Sequence, residues 1–262
     1  MKGTTMMICL FAVATQAQAQ TKWKYLQNGL EISEYKVSQK SIYDNSTITI
    51  LKIDPEKYSF LLFNEQMKTV EQTAKENNLV ATINAGMFQR NYKNMGYMKN
   101  YENYNNPMRN KDKAILAFNR KDDSVPRVQI IDTEHQDWNE LKTKYHSYAQ
   151  SIRMIDLKQK NVWSLQDKMW SVACIAMDRK GNVLLIHCRS PYKMHDFINI
   201  MLQSPYNIRN MMYLEGGPEA SLYIETDIAI QRRVGSYETS FREDNANNSY
   251  WYIPNTIGIR KR

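Results

Sequence analysis

Two acids lie in a short break between two apolar runs of the segment NMMYLEGGPEASLYIE, residues 210–225. Glu215 and Glu219 occupy the break, and Gly216 and Gly217 stand between them. A carboxyl group at a strand end can act as a general acid or base, orient a sugar hydroxyl, or hold a cation. Paired glycines allow positive φ angles and a close approach of the backbone to a ligand. A simple turn would explain the glycines but not the acid that follows MMYL.

A second polar strand end closes the apolar run LVATINAGMF. Asn84 offers both a hydrogen-bond donor and an acceptor, and Gly86 lets the backbone come close to a ligand. We take both residues as candidates for substrate binding. The Asn-x-Gly pattern also occurs in turns that bind nothing, and the sequence leaves that alternative open.

The segment HCRSPYKMHDFINIML, residues 187–202, has the features of a helix start. Ser190 fits the N-cap and Pro191 fits the first helical position, and an apolar stripe at helical spacing predicts a helix near 191–203. Helix starts attract anions, because unpaired N–H groups and the positive end of the helix dipole converge there. Arg189 adds donors suited to phosphate or carboxylate. The alternative is a structural cap beside a surface arginine.

Strand patterns dominate the rest of the chain and must position these candidates. One amphipathic helix, EQMKTVEQTAKENN, precedes the run that ends at Asn84. With few helices and many strands, the sequence predicts an α+β fold with a mixed β-sheet core. Besides the run at Asn84, β-branched or alternating runs predict strands at 29–37, 46–53, 58–63, 114–118, 127–131, 151–157 and 209–214, and a hairpin over 171–188.

Residues 89–113 are polar, rich in Asn, Tyr and Lys, and without apolar periodicity. Such a long irregular stretch is uncommon inside a compact domain. It predicts either a functional lid or binding loop, or a surface excursion without order. The sequence does not decide between the two.

The N-terminus has the features of a secretory signal peptide over residues 1–19. Lys2 precedes a short apolar run, and Ala17-Gln18-Ala19 forms a cleavage site of the small-x-small type. The apolar run is too short to span a bilayer. We therefore expect an exported protein, periplasmic or secreted, without a stable membrane anchor.

Composition bounds the class of the remaining chain. Of 262 residues, 42% are hydrophobic, which suits one globular domain, and we assign it to residues 20–262. The formal net charge is +8, but the basic residues are spread along the chain and no nucleic-acid motif accompanies them. The sequence therefore predicts no nucleic-acid partner.

Cys174 and Cys188 flank the turn of the predicted hairpin. Export permits a disulfide between them, and two buried thiols are the alternative, since hairpin register decides whether the sulfurs meet. No Cys/His spacing resembles a zinc site. His187 and His195 are expected to be packed or surface residues rather than ligands.

Several of these segments together resemble the phosphodiester glycosidase family. LVATINAGMF, the hairpin VACIAMDRKGNVLLIH, the helix after it and MMYLEGGPEASL follow the order of that family's landmarks over most of residues 45–260. The family's Asp is Glu215 here, its Gly-Ser-Ser is residues 218–220, and its Asn-Gly-Gly is residues 84–86. The arginine that usually precedes the first hairpin strand has no obvious counterpart, and Arg189 is the candidate to supply its charge.

The resemblance implies an exported hydrolase that cleaves a sugar-1-phosphodiester or a related glycosidic linkage. Glu215 is then the catalytic carboxylate, either protonating the leaving oxygen or activating water, and Glu219 is its partner. Glycines 86, 216 and 217 and Ser190 would join the substrate site, in which Asn84 positions sugar or phosphate oxygens and Arg189 neutralises the phosphate.

The substrate would be a small carbohydrate or sugar phosphate. A non-catalytic envelope protein that binds phosphorylated or acidic glycans in the same pocket is the alternative. No cofactor is firmly implied, because two acids are too few to define a metal site, although a divalent cation stays an open alternative.

Overall fold

The computed structural model describes residues 22–262, so the predicted signal peptide, residues 1–19, lies outside the described residues. The protein is mostly β-structure, with 46% of residues in strands and 10% in helices. No helix within 22–262 combines the length and the apolar content needed to cross a membrane.

Seventeen strands and three short α-helices follow one another within residues 22–262. The helices are α1 (Val70–Glu76), α2 (Trp138–Leu141) and α3 (Met194–Gln203). In chain order the strands are β1 (Lys24–Gln27), β2 (Leu30–Lys36), β3 (Thr47–Ile53), β4 (Tyr58–Phe63), β5 (Ala81–Asn84), β6 (Met98–Asn100), β7 (Asn103–Asn106), β8 (Ala114–Arg120), β9 (Val128–Asp132), β10 (Tyr145–Ser151), β11 (Arg153–Ile155), β12 (Met169–Asp178), β13 (Val183–Lys193), β14 (Ile208–Gly216), β15 (Ser221–Thr226), β16 (Ala229–Val234) and β17 (Thr256–Lys261).

The strands form three sheets. Seven strands are ordered β1-β2-β3-β13-β12-β14-β11, five are ordered β7-β6-β10-β8-β9, and five are ordered β16-β15-β5-β17-β4. Every pairing between these strands is antiparallel. The predicted mixed sheet is therefore wrong, and the core is closer to all-β than to α+β. Parallel pairs need long crossovers, usually helical, and most connections here are too short for that.

One apolar core joins the three sheets. It contains Leu51 and Ile175 of the seven-stranded sheet, Leu116 of the second sheet, and Ile83 and Leu222 of the third, all fully buried. A second core lies on the other face of the seven-stranded sheet, where α3 packs through an apolar stripe, as the sequence predicted. Shared burial across the sheets accords with a single domain.

The helix predicted near 191–203 begins later than the sequence suggested. Ser190 and Pro191 lie inside β13, and α3 starts at Met194 with Lys193 as an N-cap that makes no side-chain bond. The predicted helix start at Ser190 is therefore wrong. Pairing of β12 with β13 extends to Lys193, and these ladder contacts outweigh the local preference of Ser-Pro for a cap.

The stretch 89–113 is only partly irregular. Its central residues form β6 and β7, and β6 pairs with β10 in the second sheet. Apolar periodicity is weak there because the strands are three and four residues long. Met95, which precedes them, is half-exposed and reaches the candidate site described below.

The two cysteines are free and buried on neighbouring strands. Cys174 lies opposite Ile186, and Cys188 lies opposite Val172, so the thiols are not directly paired. Of the two alternatives, the structure shows the buried thiols. His187 is also buried, as expected, and its Nε2 lies 3.1 Å from the Ala220 carbonyl oxygen, to which it donates.

Candidate active site

Glu215 stands where β14 ends at the junction of two sheets. The chain leaves β14, passes through one 3₁₀ turn at Gly217–Glu219, and enters β15 of another sheet. Opposite β12, the register of β14 skips Leu214, which is a bulge directly before Glu215. Bulges re-aim neighbouring side chains. A strand end, a bulge and a corner therefore present Glu215 at an opening rather than in the core.

Three carboxyl groups line one cavity of about 380 Å³ at this opening. Glu215 and Glu219 come from the predicted segment, and Glu238 comes from the loop after β16. All three are partly buried. Gly216 completes the polar side, and four apolar side chains form the rest of the lining, namely Met87, Phe88, Met95 and Phe241.

The carboxyl groups raise one another's pKa values. Burial and the neighbouring Glu219 charge raise the pKa of Glu215 to about 8, although the Gly216 N–H, 3.1 Å from Oε1, opposes the shift. Burial also raises the pKa of Glu219 and that of Glu238. Ionising all three carboxyl groups in a poorly hydrated cavity would cost free energy, because the negative charges would repel one another. At neutral pH Glu215 is therefore mainly protonated.

Two glycines make room for this cluster. A Cβ on Gly216 would lie 2.6 Å from Trp170 Cδ1 and also against the Tyr213 hydroxyl. Gly217 has φ +60°, and a Cβ there would meet the Glu238 carboxylate. A side chain at either Gly216 or Gly217 would therefore collide with its neighbours. Gly217 also has a positive φ, which glycine adopts without strain. Their roles in substrate binding remain predictions.

We expect Gly217→Ala to lower the free energy of unfolding by about 1–3 kcal/mol, from left-handed strain and displacement of Glu238. Gly181→Ala is the matched control, because Gly181 has φ +88° but nothing lies within 4 Å of its Cβ position. The control should lose about 1 kcal/mol and keep its activity. Urea unfolding and a hydrolysis assay of both variants check this, and equal losses of activity in the two would contradict it.

Asn84 lies behind the acids rather than among them. It is buried, its Nδ2 donates to the Glu219 carbonyl oxygen at 2.9 Å, and its Oδ1 accepts from the Ser221 N–H at 2.8 Å. The side chain therefore fixes the backbone on both sides of Ala220. This geometry makes Asn84 a residue that positions Glu219, and contact with sugar or phosphate oxygens remains untested.

Gly86 shapes the approach to the apolar wall. Its φ is +143°, and a Cβ there would meet Asn94 Oδ1 at 2.6 Å. Met87 and Phe88 follow directly and line the cavity. Gly86 thus permits a tight turn that places Met87 and Phe88 in the lining of the cavity. A direct role for Gly86 in substrate binding stays a prediction.

Arg189 and Ser190 lie outside the lining of the cavity that contains Glu215. Arg189 lines a separate cavity of about 660 Å³, and its guanidinium donates to the carbonyl oxygens of Val234 (2.9 Å) and Asn245 (2.8 Å). Ser190 Oγ accepts from the Ser46 N–H and donates to Asp44. The structure does not bring this pair into the cavity of Glu215. Arg189 instead tethers the loop that carries Glu238.

No grouping of three or more His, Cys, Asp or Glu side chains within 22–262 is arranged to hold a metal ion. The three carboxyl groups share a cavity without forming such a cage.

Sequence reasoning missed Glu238 and Phe241. They lie in the segment SYETSF, which has no strand or helix period and no special spacing to Glu215. A tight turn brings them together, since the Phe241 and Arg242 N–H groups both donate to the Glu238 carbonyl oxygen, at 3.2 and 2.9 Å. No local signal could have found them.

Comparison with known proteins places this chain in a family. The phosphodiester glycosidase family matches residues 77–260. The fold is similar to the catalytic domain of zebrafish N-acetylglucosamine-1-phosphodiester alpha-N-acetylglucosaminidase, auto-inhibited by its pro-peptide, with a TM-score of 0.60, 16% identity, and coverage of 93% of this chain and 87% of that one.

A protein from Synechocystis is also similar, with a TM-score of 0.58, 12% identity, and coverage of 94% of this chain and 64% of that one. A search of curated proteins gives no match. The family match spans well over half of the chain, including Asn84, Glu215, Glu219 and Glu238. The chain belongs to the phosphodiester glycosidase family.

Proposed function

We propose that this protein hydrolyses the anomeric C–O bond of a sugar-1-phosphodiester or of a related glycosidic linkage. The observation that carries the proposal is a carboxyl group with a pKa of about 8 in a cavity shared with two further carboxyl groups. A protonated acid beside a potential base is the requirement for hydrolysis at an anomeric carbon. Membership of the family supports the reaction class.

In this mechanism Glu215 is the general acid. It gives its proton to the leaving oxygen as the anomeric C–O bond breaks, and the electron pair of that bond stays on the oxygen. Either Glu219 or Glu238 takes a proton from the attacking water, whose oxygen bonds to the anomeric carbon. The sequence left two roles open for Glu215, donating a proton to the leaving oxygen or activating water. Its raised pKa favours proton donation.

The surrounding contacts hold this arrangement in place. Asn84 and His187 bind the backbone of the Glu219–Ser221 turn, and Arg189 binds the backbone of the loop that carries Glu238. Rigid positioning is where much of the catalytic advantage of such groups comes from. We further propose, from the signal-peptide pattern, that the protein is exported and meets its carbohydrate outside the cytoplasm.

The test is release of free sugar by the purified protein from the phosphodiester of N-acetylglucosamine and from glycosides of several sugars. We expect sugar release that is fastest below pH 8, because Glu215 must be protonated. Purified protein that begins at residue 20 serves as the enzyme. If calorimetry detects glycan binding but no substrate in the panel yields product, the non-catalytic binding protein is the better assignment.

A further inference from the structure

We infer that the linkage cleaved at this site joins the sugar to an uncharged alcohol oxygen, as in an O-glycoside, and that the sugar ring packs on Phe241. This inference rests on the proposed function and chooses between the two substrate classes that it names. Three observations carry it: the charge of the cavity, the presence of a proton donor, and one exposed aromatic ring beside the acids.

The cavity offers nothing that would neutralise a phosphate. Its lining residues within 22–262 include three glutamates and no Lys, Arg or His. The charge of exposed Lys168 lowers the pKa of Glu238, but Lys168 lies outside the lining of the cavity. Arginines 189, 232 and 233 line the cavity of about 660 Å³ instead and are bonded there. A phosphodiester carries a negative charge and would face the ionised base, Glu219 or Glu238, with no cation in the lining to offset the repulsion.

The proton donor points to a basic leaving group. When a C–O bond breaks toward an alcohol, the departing oxygen is strongly basic, so proton transfer from Glu215 speeds the step. A departing phosphate is already a stable anion and gains little from the same proton. The balance for the glycoside is simple: one anomeric C–O bond breaks, one water adds, and two hydroxyl compounds leave.

Phe241 presents an apolar surface where a sugar would lie. Its side chain is 62% exposed although it lines the cavity, and the Glu238 turn fixes its backbone. Trp251 lies edge-on to it, with ring centroids 6.1 Å apart. A ring held in place before binding costs little entropy to use. Carbohydrate rings have apolar C–H faces that pack on such a ring, and Phe88 and Met95 extend the surface.

The experiment compares the methyl glycoside of each sugar with the methyl phosphodiester of the same sugar. We expect the rate enhancement at pH 7, kcat/KM divided by the spontaneous hydrolysis rate of the same compound, to favour the glycoside by about tenfold or more, since the phosphodiester adds a negative charge and its leaving group gains little from the proton. A preference for the phosphodiester would overturn the inference.

Phe241→Ala should raise KM for the glycoside about five- to tenfold with a smaller change in kcat, and Phe241→Tyr should restore it. Tyr25→Ala is the matched control, because Tyr25 is also 62% exposed but lies on β1 away from the cavity. An unchanged KM in Phe241→Ala would overturn the assignment of the ring.

Binding separates this inference from the proposed function. Calorimetry on Glu215→Gln protein, which cannot consume the ligand, should give tighter binding of the glycoside than of the phosphodiester, and Phe241→Ala should weaken the binding of both, because the two ligands share the sugar ring. That result supports the ligand class even if no turnover is found, in which case hydrolysis alone fails. Tighter binding of the phosphodiester would overturn the inference whatever the turnover.

Discussion

Replacing Glu215 with Gln is expected to lower kcat by about 10²–10⁴-fold, which is what a positioned general acid contributes. The amide keeps the size of the protonated carboxyl group but cannot release a proton. Glu102→Gln is the matched control, because Glu102 is exposed and lies outside the cavity. The control should keep wild-type kcat, and circular dichroism should show that both variants are folded.

The pH profile gives a second readout of the same group. The wild-type rate should fall as the pH rises through about 8, because the proton that Glu215 donates is lost there. The residual rate of Glu215→Gln should lack this fall. Full activity in the variant, or a wild-type rate that increases through pH 8, would show that Glu215 is not the proton donor.

The part of this site that lies within one short segment could be predicted from the sequence. The acids at the end of an apolar run and the two glycines after the first acid are all adjacent, so a single turn explains them together. Glu215, Gly216 and Glu219 do line one cavity. Strands are recognised for the same reason, since alternation and β-branched residues are read over a few neighbours.

The parts that the sequence did not reveal depend on contacts between distant segments. Ser190 and Pro191 have the local chemistry of a helix start, yet pairing along β12 holds them in a strand. Glu238 reaches the cavity only because β15 and β16 return the chain to the end of β14. Arg189 faces another cavity for the same reason. Strand register and sheet order are not encoded in local periodicity.

The sheet type illustrates the limit in another way. Many strand patterns and few helices predicted an α+β fold with a mixed sheet. In the structure β5 pairs antiparallel with β15 and β17, which follow it by more than a hundred residues. The proportion of strands and helices therefore does not predict whether neighbouring strands run parallel, and only the long-range pairing decides.

Raising the pH from 7 to 9 is expected to destabilise the wild-type protein relative to Glu215→Gln. The folded-state pKa of Glu215, about 8, is above its ordinary value of 4.5, so folded protein holds a proton that unfolded protein has released. Stability from this group is complete below about pH 4.5 and is lost as the pH rises toward 8. A shift of this size corresponds to at most about 5 kcal/mol over the whole range, and only about 1 kcal/mol of it is lost between pH 7 and 9, because the rest is already lost by pH 7.

Other titrating groups set the pH range of the test. Burial lowers the pKa of His187 to about 3, so that group destabilises the fold only as the pH falls below its ordinary value of 6.5. Burial raises the pKa of Cys188, which acts only above its ordinary value of 9.0. Between pH 7 and 9 neither group disturbs the comparison. Glu219 and Glu238, whose pKa values are also raised, add a loss of the same sign in wild type.

Urea unfolding of wild type, Glu215→Gln and Glu102→Gln at pH 7, 8 and 9 measures the effect as a difference in the free energy of unfolding. The Glu215 variant should gain about 1 kcal/mol of stability relative to wild type between pH 7 and 9, because Gln mimics the neutral acid and carries no charge to repel its neighbours. The Glu102 variant should follow wild type at every pH. A Glu215 variant that parallels wild type from pH 7 to 9 would mean that this carboxyl group ionises freely, and then neither proton donation at neutral pH nor the cost of a charged cluster could be assigned to it.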